Sequence, residues 1–432
     1  MKPVPGIFNL SPPEIAGIQD DLLRETVEYA ASASPYYREV LKEDGGRAGS
    51  VRRLADLPSL PLTSREEVQR RNRDFWAAPR DRVVEIVATT GTTGEPVYMP
   101  MTRDDVERLA ENERRGFEWL GARPGDRYHV AVTLDNLFVA GMAYHLGLHR
   151  LGAAAVRIGA QPARRHLDLM RQLRPDGMVC VPSRLLTLAR QAREDGLDVR
   201  DFAPGKFLLI GDSIRGQDLM PNTLGRLIAE AWGGEMRSTY GLTEAGLAFH
   251  ECPAHCGLHS HPEFLLCEIV DEEDSPLPAG EPGELVITTL QVQGMPLLRY
   301  RTGDISFIVP GSCPCGRGGT RIGPILGRKR QRLKLKGTTL YPKAIEEVLL
   351  SAAGVENFVI EAHAEKDGTD RVVIRAGTAD RSSIFRNNLN DMIYSKIRVT
   401  PELILEAPGE IEKALFEGGR RKPRTFVDYR ES

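Results

Sequence analysis

Gly177-Met178-Val179-Cys180-Val181 is a short apolar run that reads as a β-strand, and the segments around it decide the architecture. Helical spacing of apolar residues precedes it over 164–173 and follows it over 184–194. One step further out lie Tyr128-His129-Val130-Ala131-Val132 and Lys206-Phe207-Leu208-Leu209-Ile210, two more strand-like runs, with a small-residue helix over 140–151 and a strand over 153–158 between the first of them and the centre. Strands alternating with helices mean βαβ units and a mostly parallel sheet, with ligands expected at the carboxyl ends of the strands.

At 432 residues the chain is too long for one compact core and should divide into domains. A content of 41% hydrophobic and 27% charged residues is that of an ordinary globular protein, and a formal net charge of −3 gives no global attraction to nucleic acid or anionic membrane. No apolar run approaches the roughly 20 residues of a membrane span, and Met1-Lys2-Pro3-Val4-Pro5 lacks the apolar core of a signal peptide, so a cytoplasmic protein is expected.

Toward the amino terminus, Leu22, Leu23, Val27, Ala30 and Ala31 recur at helical spacing and Ser34-Pro35 ends the pattern. Thr63 or Ser64 caps a second helix, and 102–120 reads as a third, charged one. Beyond about residue 262 the texture changes to strands separated by Pro and Gly, as in Glu284-Leu285-Val286-Ile287-Thr288-Thr289-Leu290, which suggests an antiparallel, barrel-like subdomain. The basic run Arg328-Lys329-Arg330-Gln331-Arg332 marks a further break, followed by helices over 342–351 and 382–394, strands over 357–364, 371–376 and 402–406, and a basic tail. The expected fold is α/β: a large N-terminal domain (1–328) with βαβ and barrel-like subdomains, plus a small α+β C-terminal domain (329–432).

Three segments carry chemistry. Thr89-Thr90-Gly91-Thr92-Thr93-Gly94 follows the strand-like Val83-Val84-Glu85-Ile86-Val87; its glycines let backbone approach an anion while hydroxyls and free N–H groups supply donors. That is phosphate-binding chemistry, although a small-residue hairpin turn would read the same, and the Gly-Lys-Ser/Thr ending of a Walker A loop is absent. In Ser238-Thr239-Tyr240-Gly241-Leu242-Thr243-Glu244 an aromatic ring can stack on a base, a hydroxyl can meet a phosphate and a carboxylate can hold Mg²⁺. In Arg299-Tyr300-Arg301-Thr302-Gly303-Asp304 the aspartate can accept from two ribose hydroxyls.

In this order, and with Tyr36-Tyr37-Arg38, Met295-Pro296-Leu297-Leu298 and Gly327-Arg328, these motifs resemble the adenylate-forming superfamily, and most closely its phenylacetate-CoA ligase family, over most of the chain. The resemblance implies that Thr89 to Gly94 closes over the β- and γ-phosphates of ATP, Tyr240 and Gly241 meet adenine, Thr243 and Glu244 contact the α-phosphate and Mg²⁺, Asp304 holds the ribose, and Arg328 reaches ribose or phosphate. In the tail, Arg421-Lys422-Pro423-Arg424-Thr425-Phe426-Val427-Asp428-Tyr429-Arg430 puts Lys422 at the family's catalytic lysine, on a mobile lid domain. Three departures stand out: Glu95 where relatives have lysine, Arg330 and Gln331 where the hinge commonly has two acids, and Arg421 in place of a glycine.

The clustered cysteines acquire a meaning in that setting. Cys252-Pro253-Ala254-His255-Cys256-Gly257-Leu258-His259 and Cys313-Pro314-Cys315-Gly316-Arg317 offer soft or borderline ligands for a closed tetrahedral zinc site. Some members of the resembled family imply the set Cys252, His259, Cys313 and Cys315; Cys256 is the rival fourth ligand, with His250, His255 and His261 further off. Such a site is structural, pinning two nucleotide-contacting loops together.

The acid pocket is expected between the Thr/Gly loop, the start of the 140–151 helix and the Gly211-Asp212-Ser213-Ile214 turn, where relatives show Gly-Ala-Glu-Pro, so that Asp212 and Ser213 change its polarity. Phe138, Tyr144 and Ile214 are candidate walls for an aromatic acid and equally candidate core residues. The function implied is an ATP- and Mg²⁺-dependent, AMP-forming ligase that makes an acyl-adenylate from a carboxylic acid, with aromatic acids favoured, and then a coenzyme A thioester. The altered hinge and the Asp212-Ser213 turn keep open an amine, another nitrogen nucleophile or a carrier protein as acceptor, and an inactive nucleotide-binding scaffold. The expected partners are a small acid and at most a second copy of the chain, with neither nucleic acid nor membrane.

Overall fold

A computed structural model describes residues 4–43, 51–89, 96–335, 338–365, 369–417 and 424–430. The chain forms two compact units, one made of residues 1–220, 225–302 and 306–324, the other of 221–224, 303–305 and 325–432.

The first unit is built on an eight-stranded sheet. In spatial order its strands are Arg321–Ile322, Leu258–His259, Leu247–Glu251, Glu235–Leu242, Lys206–Ile210, Gly177–Cys180, Arg127–Val130 and Ala154–Arg157. The five from Glu235–Leu242 to Ala154–Arg157 run parallel, and the other three are added antiparallel. All four residues of Gly177–Cys180 are buried, as a strand packed on both faces must be. The helices Val139–Leu151, Ala163–Leu173 and Pro182–Glu194 fall where the alternating pattern puts them.

Four antiparallel-type strands follow in the order Leu265–Val270, Gly283–Thr289, Tyr300–Ser306 and Gly327–Arg328. They form an open sheet, so the expected barrel-like subdomain is antiparallel but not closed among the described residues. A hairpin of Val83–Ala88 and Tyr98–Thr102 frames the Thr/Gly loop.

Local chemistry explains the helix ends. Ser64 caps Arg65–Arg70, its Oγ accepting from Glu67 N at 3.2 Å while Ser64 N donates to Glu67 Oε2 at 3.0 Å. Thr63 has a different task, described below. The first long helix spans Pro12–Ala33, starting earlier than its apolar periodicity suggests because Ser11 and Glu14 form a capping box and proline is tolerated in a first turn.

The second unit is α+β. Its four-stranded sheet has the order Glu402–Glu406, Asp370–Gly377, Asn357–Ala364 and Phe426–Asp428, with helices Pro342–Ser351, Ser383–Ile397 and Pro408–Leu415. The basic tail thus ends in a strand, paired parallel through Ile360↔Phe426 and Ala362↔Asp428. No described helix is long and apolar enough to cross a membrane.

Candidate active site and metal centre

The strand Glu235–Leu242 delivers the first group of site residues at its carboxyl end. Tyr240 lies partly exposed, its ring 5.6 Å from that of Phe249 at 36°, and Gly241 is exposed beside it. Gly246 N donates to Thr243 O at 3.0 Å, closing a turn that places Glu244 at 7% exposure. Arg108, itself 1% exposed, secures that turn: its Nη1 donates to the carbonyls of Ala245 and Gly246 at 3.0 and 3.1 Å and its Nε to Leu290 O at 3.1 Å. Burial pulls this guanidinium down to about 10.

Thr89 sits at the mouth of the Thr/Gly loop. Its Oγ1 accepts from Val97 N at 3.1 Å and its N donates to Val97 O at 3.0 Å, so this threonine helps close the hairpin. Thr90 to Gly94, with Glu95, and the Arg421-Lys422 pair lie outside the described residues.

In the second unit Asp304 pairs across the sheet with Arg328, and Arg328 Nε stands 3.4 Å from Asp304 Oδ1. The aspartate is 6% exposed, while the arginine side chain is mostly in solvent.

The turn after Lys206–Ile210 carries Asp212, exposed, and Ser213, whose Oγ donates to Arg215 O at 2.9 Å. Ile214 and Tyr144 are buried at 3% and 1%, Tyr144 within a cluster containing Phe117, Tyr128 and Val130. Arg215 reaches Glu251 and His255, and Glu251 Oε2 accepts from Ser238 N at 2.7 Å. Nothing in the sequence pattern singles out Arg108, Arg215 or Glu251: each acts on residues far away along the chain, and no local spacing reports that.

Cys252, His259, Cys313 and Cys315 come together, with their ligand atoms all within 4.8 Å of one another. Cys252 Sγ is 3.5 Å from Cys313 Sγ, and Cys315 Sγ is 3.5 Å from His259 Nε2. Two pairings fix the geometry: His259 lies opposite His250 on one side and Arg321 on the other, and Gly316, at φ 77°, turns Cys313-Pro314-Cys315 back on itself. Cys256 turns away, its thiol donating to Ala254 O at 3.1 Å. The other histidines have separate roles. His261 stacks on Trp119 at 5.2 Å and 6°, His250 Nδ1 and Nε2 lie 3.3 Å from His261 and 3.2 Å from Glu113, and His255 belongs to the Glu251 cluster.

Burial pushes the Cys252 thiol up to about 12, and burial, reinforced by Arg321 and Arg317, takes His259 down to about 3. Burial also raises Cys315, but hydrogen bonding, first from the Arg317 backbone, outweighs it and leaves that thiol below its ordinary value. Burial raises Cys313 as well, so the cluster holds a neutral imidazole, the state that binds a metal, two thiols held protonated and one, Cys315, inclined to ionise.

Comparison with known proteins gives the family. Residues 22–294 match the family described as AMP-binding enzyme. The chain is 31% identical to a phenylacetate-coenzyme A ligase of Thermus thermophilus, over 99% of each chain, and 30% identical to one from Pseudomonas putida, over 94% of each. Among solved structures, a 2-hydroxyisobutyryl-CoA ligase in its postadenylation state superposes with a TM-score of 0.87, covering 100% of this chain and 94% of that one at 21% identity, a likeness of fold. With most of its length matched by the family and by relatives of this identity, the chain belongs to the AMP-binding, adenylate-forming enzymes and, within them, to the phenylacetate-CoA ligase-like family.

Proposed function

We propose that this protein is an AMP-forming acid–CoA ligase: it joins a carboxylic acid to ATP, releasing pyrophosphate, and passes the acyl group from the adenylate to coenzyme A. The observation that carries this reading is the likeness, at 30–31% identity and nearly full length, to phenylacetate-coenzyme A ligases. An aromatic acid is the favoured substrate for the same reason.

The residue roles are assigned from the resemblance of their motifs to those of the family. Tyr240 supports the adenine, Thr243 the α-phosphate, and Glu244 the Mg²⁺ that accompanies ATP; Asp304 holds the ribose with Arg328 beside it, and Asp212 and Ser213 border the acid. The loop Thr90 to Gly94 takes the departing pyrophosphate, and Lys422 offsets charge on the α-phosphate during adenylation. Residues 1–328 then form the adenylation domain and 329–432 a lid that moves between half-reactions. The Arg328 to Arg332 run is its hinge.

The donors of Cys252, His259, Cys313 and Cys315 suit Zn²⁺: three thiolates and one imidazole, mutually close, with no fifth position required. A zinc ion there would tie the segment after Leu247–Glu251 to the Cys313-Pro314-Cys315 turn and would serve stability, not chemistry.

Acid-dependent pyrophosphate release, measured across aryl, amino-aryl and aliphatic acids with and without coenzyme A, tests the reading. Release with at least one acid and a matching thioester is expected. Adenylate without thioester from any accepted acid would transfer the assignment to an amine or carrier-protein acceptor, and silence across the panel would remove the ligase reading.

A further inference from the structure

Tyr300 Oη donates to Glu244 Oε1 at 3.0 Å. Both side chains are buried, at 1% and 7% exposure, so the hydrogen bond forms away from bulk water, where one to a charged acceptor is strongest. It occupies one carboxylate oxygen and leaves Oε2 for another partner.

The route by which the tyrosine arrives is heavily constrained. Arg299 adopts φ 44°, a left-handed conformation that costs a non-glycine residue about 1 kcal/mol. Its guanidinium compensates: Nε and Nη2 both meet Glu268 at 3.0 Å, and Nη1 donates to Leu60 O at 2.7 Å and Pro58 O at 3.0 Å. On the other side of the turn, Leu298 N donates to Tyr37 Oη at 2.8 Å, Tyr37 donates onward to Thr63 Oγ1 at 2.9 Å, and Thr63 Oγ1 donates to Leu298 O at 2.7 Å. A closed ring of hydrogen bonds therefore fixes the backbone just ahead of Tyr300. Tyr300 follows directly on that fixed backbone, and its hydroxyl carries the restraint to Glu244.

We propose that Tyr300 is a positioning residue for Glu244: its hydroxyl holds the carboxylate in the orientation with which Glu244 meets the magnesium of the bound nucleotide. The proposal rests on the reading of Glu244 given above. Free rotation of an unheld carboxylate would spread it over orientations of which few serve the cation. A phenylalanine in place of Tyr300 keeps the ring and its packing and removes only that restraint.

The test is the magnesium dependence of adenylation at saturating ATP and acid for wild type, Tyr300→Phe and Glu244→Gln, together with each variant's thermal midpoint and its affinity for AMP in the absence of magnesium. Tyr300→Phe should raise the half-saturating magnesium concentration about tenfold or more, the scale on which one hydrogen bond to a charged group acts, while AMP affinity stays within about twofold. An unchanged magnesium dependence in Tyr300→Phe, whether or not its thermal midpoint falls, overturns the proposal. Glu244→Gln separates the two levels: if it too leaves the magnesium dependence untouched, the role of Glu244 is refuted and the proposal falls with it, whereas a shift in Glu244→Gln alone refutes only the role of Tyr300.

Discussion

Glu251 Oε2 accepts the backbone N–H of Ser238 at 2.7 Å, adding a buried side-chain tie between two strands already paired side by side, the one that leads into Cys252 and the one that presents Tyr240. The other oxygen of Glu251 serves Arg215, on the Asp212-Ser213 turn, and His255 at 3.0 Å. Glu251 is 2% exposed, so its charge is compensated by these partners and not by water. Replacing it with alanine leaves Arg215, whose ion pair it forms, short of a counter-charge and the Ser238 N–H without its acceptor, and should cost roughly 3–5 kcal/mol. The denaturation midpoint measures this, and a loss below about 1 kcal/mol would show that the cluster relaxes without its carboxylate.

Lys422 is expected to serve adenylation alone. Lys422→Ala should cut acid-dependent pyrophosphate exchange by at least about a hundredfold while thioester formation from supplied acyl-adenylate stays close to wild type. Equal loss in both half-reactions would refute the assignment.

Zinc occupancy has a pH signature. With the Cys252 thiol pushed up to about 12, a thiolate must be made when metal binds, so binding at neutral pH releases protons and affinity rises with pH. The His259 imidazole, taken down to about 3, adds no proton of its own above pH 5. Elemental analysis of protein purified without added metal should find about one zinc per chain, and less than about half an equivalent would count against the site. Cys315→Ser should lower both zinc content and thermal midpoint.

His129 and His166 form a buried pair, Nε2 to Nδ1 at 2.9 Å. Burial takes His129 down to about 4 and His166 to about 3. Unfolded, both would titrate near 6.5, so between that pH and about 4 the unfolded chain binds more protons than the folded one and stability falls as pH drops. The double variant His129→Phe/His166→Leu should therefore lose less stability than wild type between pH 7.5 and pH 5, by roughly 4 kcal/mol, in urea titrations at the two pH values.

Gly147 reverses a usual rule. Alanine in a helix interior is ordinarily favoured over glycine by about 1 kcal/mol. Within Val139–Leu151, however, a Cβ on residue 147 would lie 2.4 Å from Glu113 Cβ and 2.9 Å from Glu113 C, on the helix Arg103–Trp119. Backbone cannot yield as a side chain can, so Gly147→Ala should destabilise by about 1–3 kcal/mol, read as a lower thermal midpoint. A stabilised variant would show that the two helices are free to separate.

Much of this architecture was legible in the chain because its causes are local. Apolar runs such as Gly177-Met178-Val179-Cys180 and the helical spacing around them act within a few residues, and the α+β character of the carboxy-terminal unit followed from the same patterns. Closure of the 262–328 strands was not legible, because whether a sheet closes depends on stagger between strands and not on any one strand's composition. The tail strand Phe426–Asp428 was missed for a related reason: three residues carry too little pattern, and their partner Asn357–Ala364 lies far back in the chain.

By itself the sequence determined which chemical groups this protein owns: the hydroxyl- and glycine-rich loop, the Tyr240 to Glu244 turn, the Asp304 segment and two cysteine pairs. Only the tertiary structure decided which of them meet. It drew His259 and not Cys256 into the thiol cluster, set the Thr89 oxygen to accept within a hairpin, and put the Tyr300 hydroxyl on Glu244. The bond from Tyr300 to Glu244 and the approach of Cys313 and Cys315 to Cys252 and His259 join residues more than fifty positions apart, and a chain's local propensities carry no record of such distances.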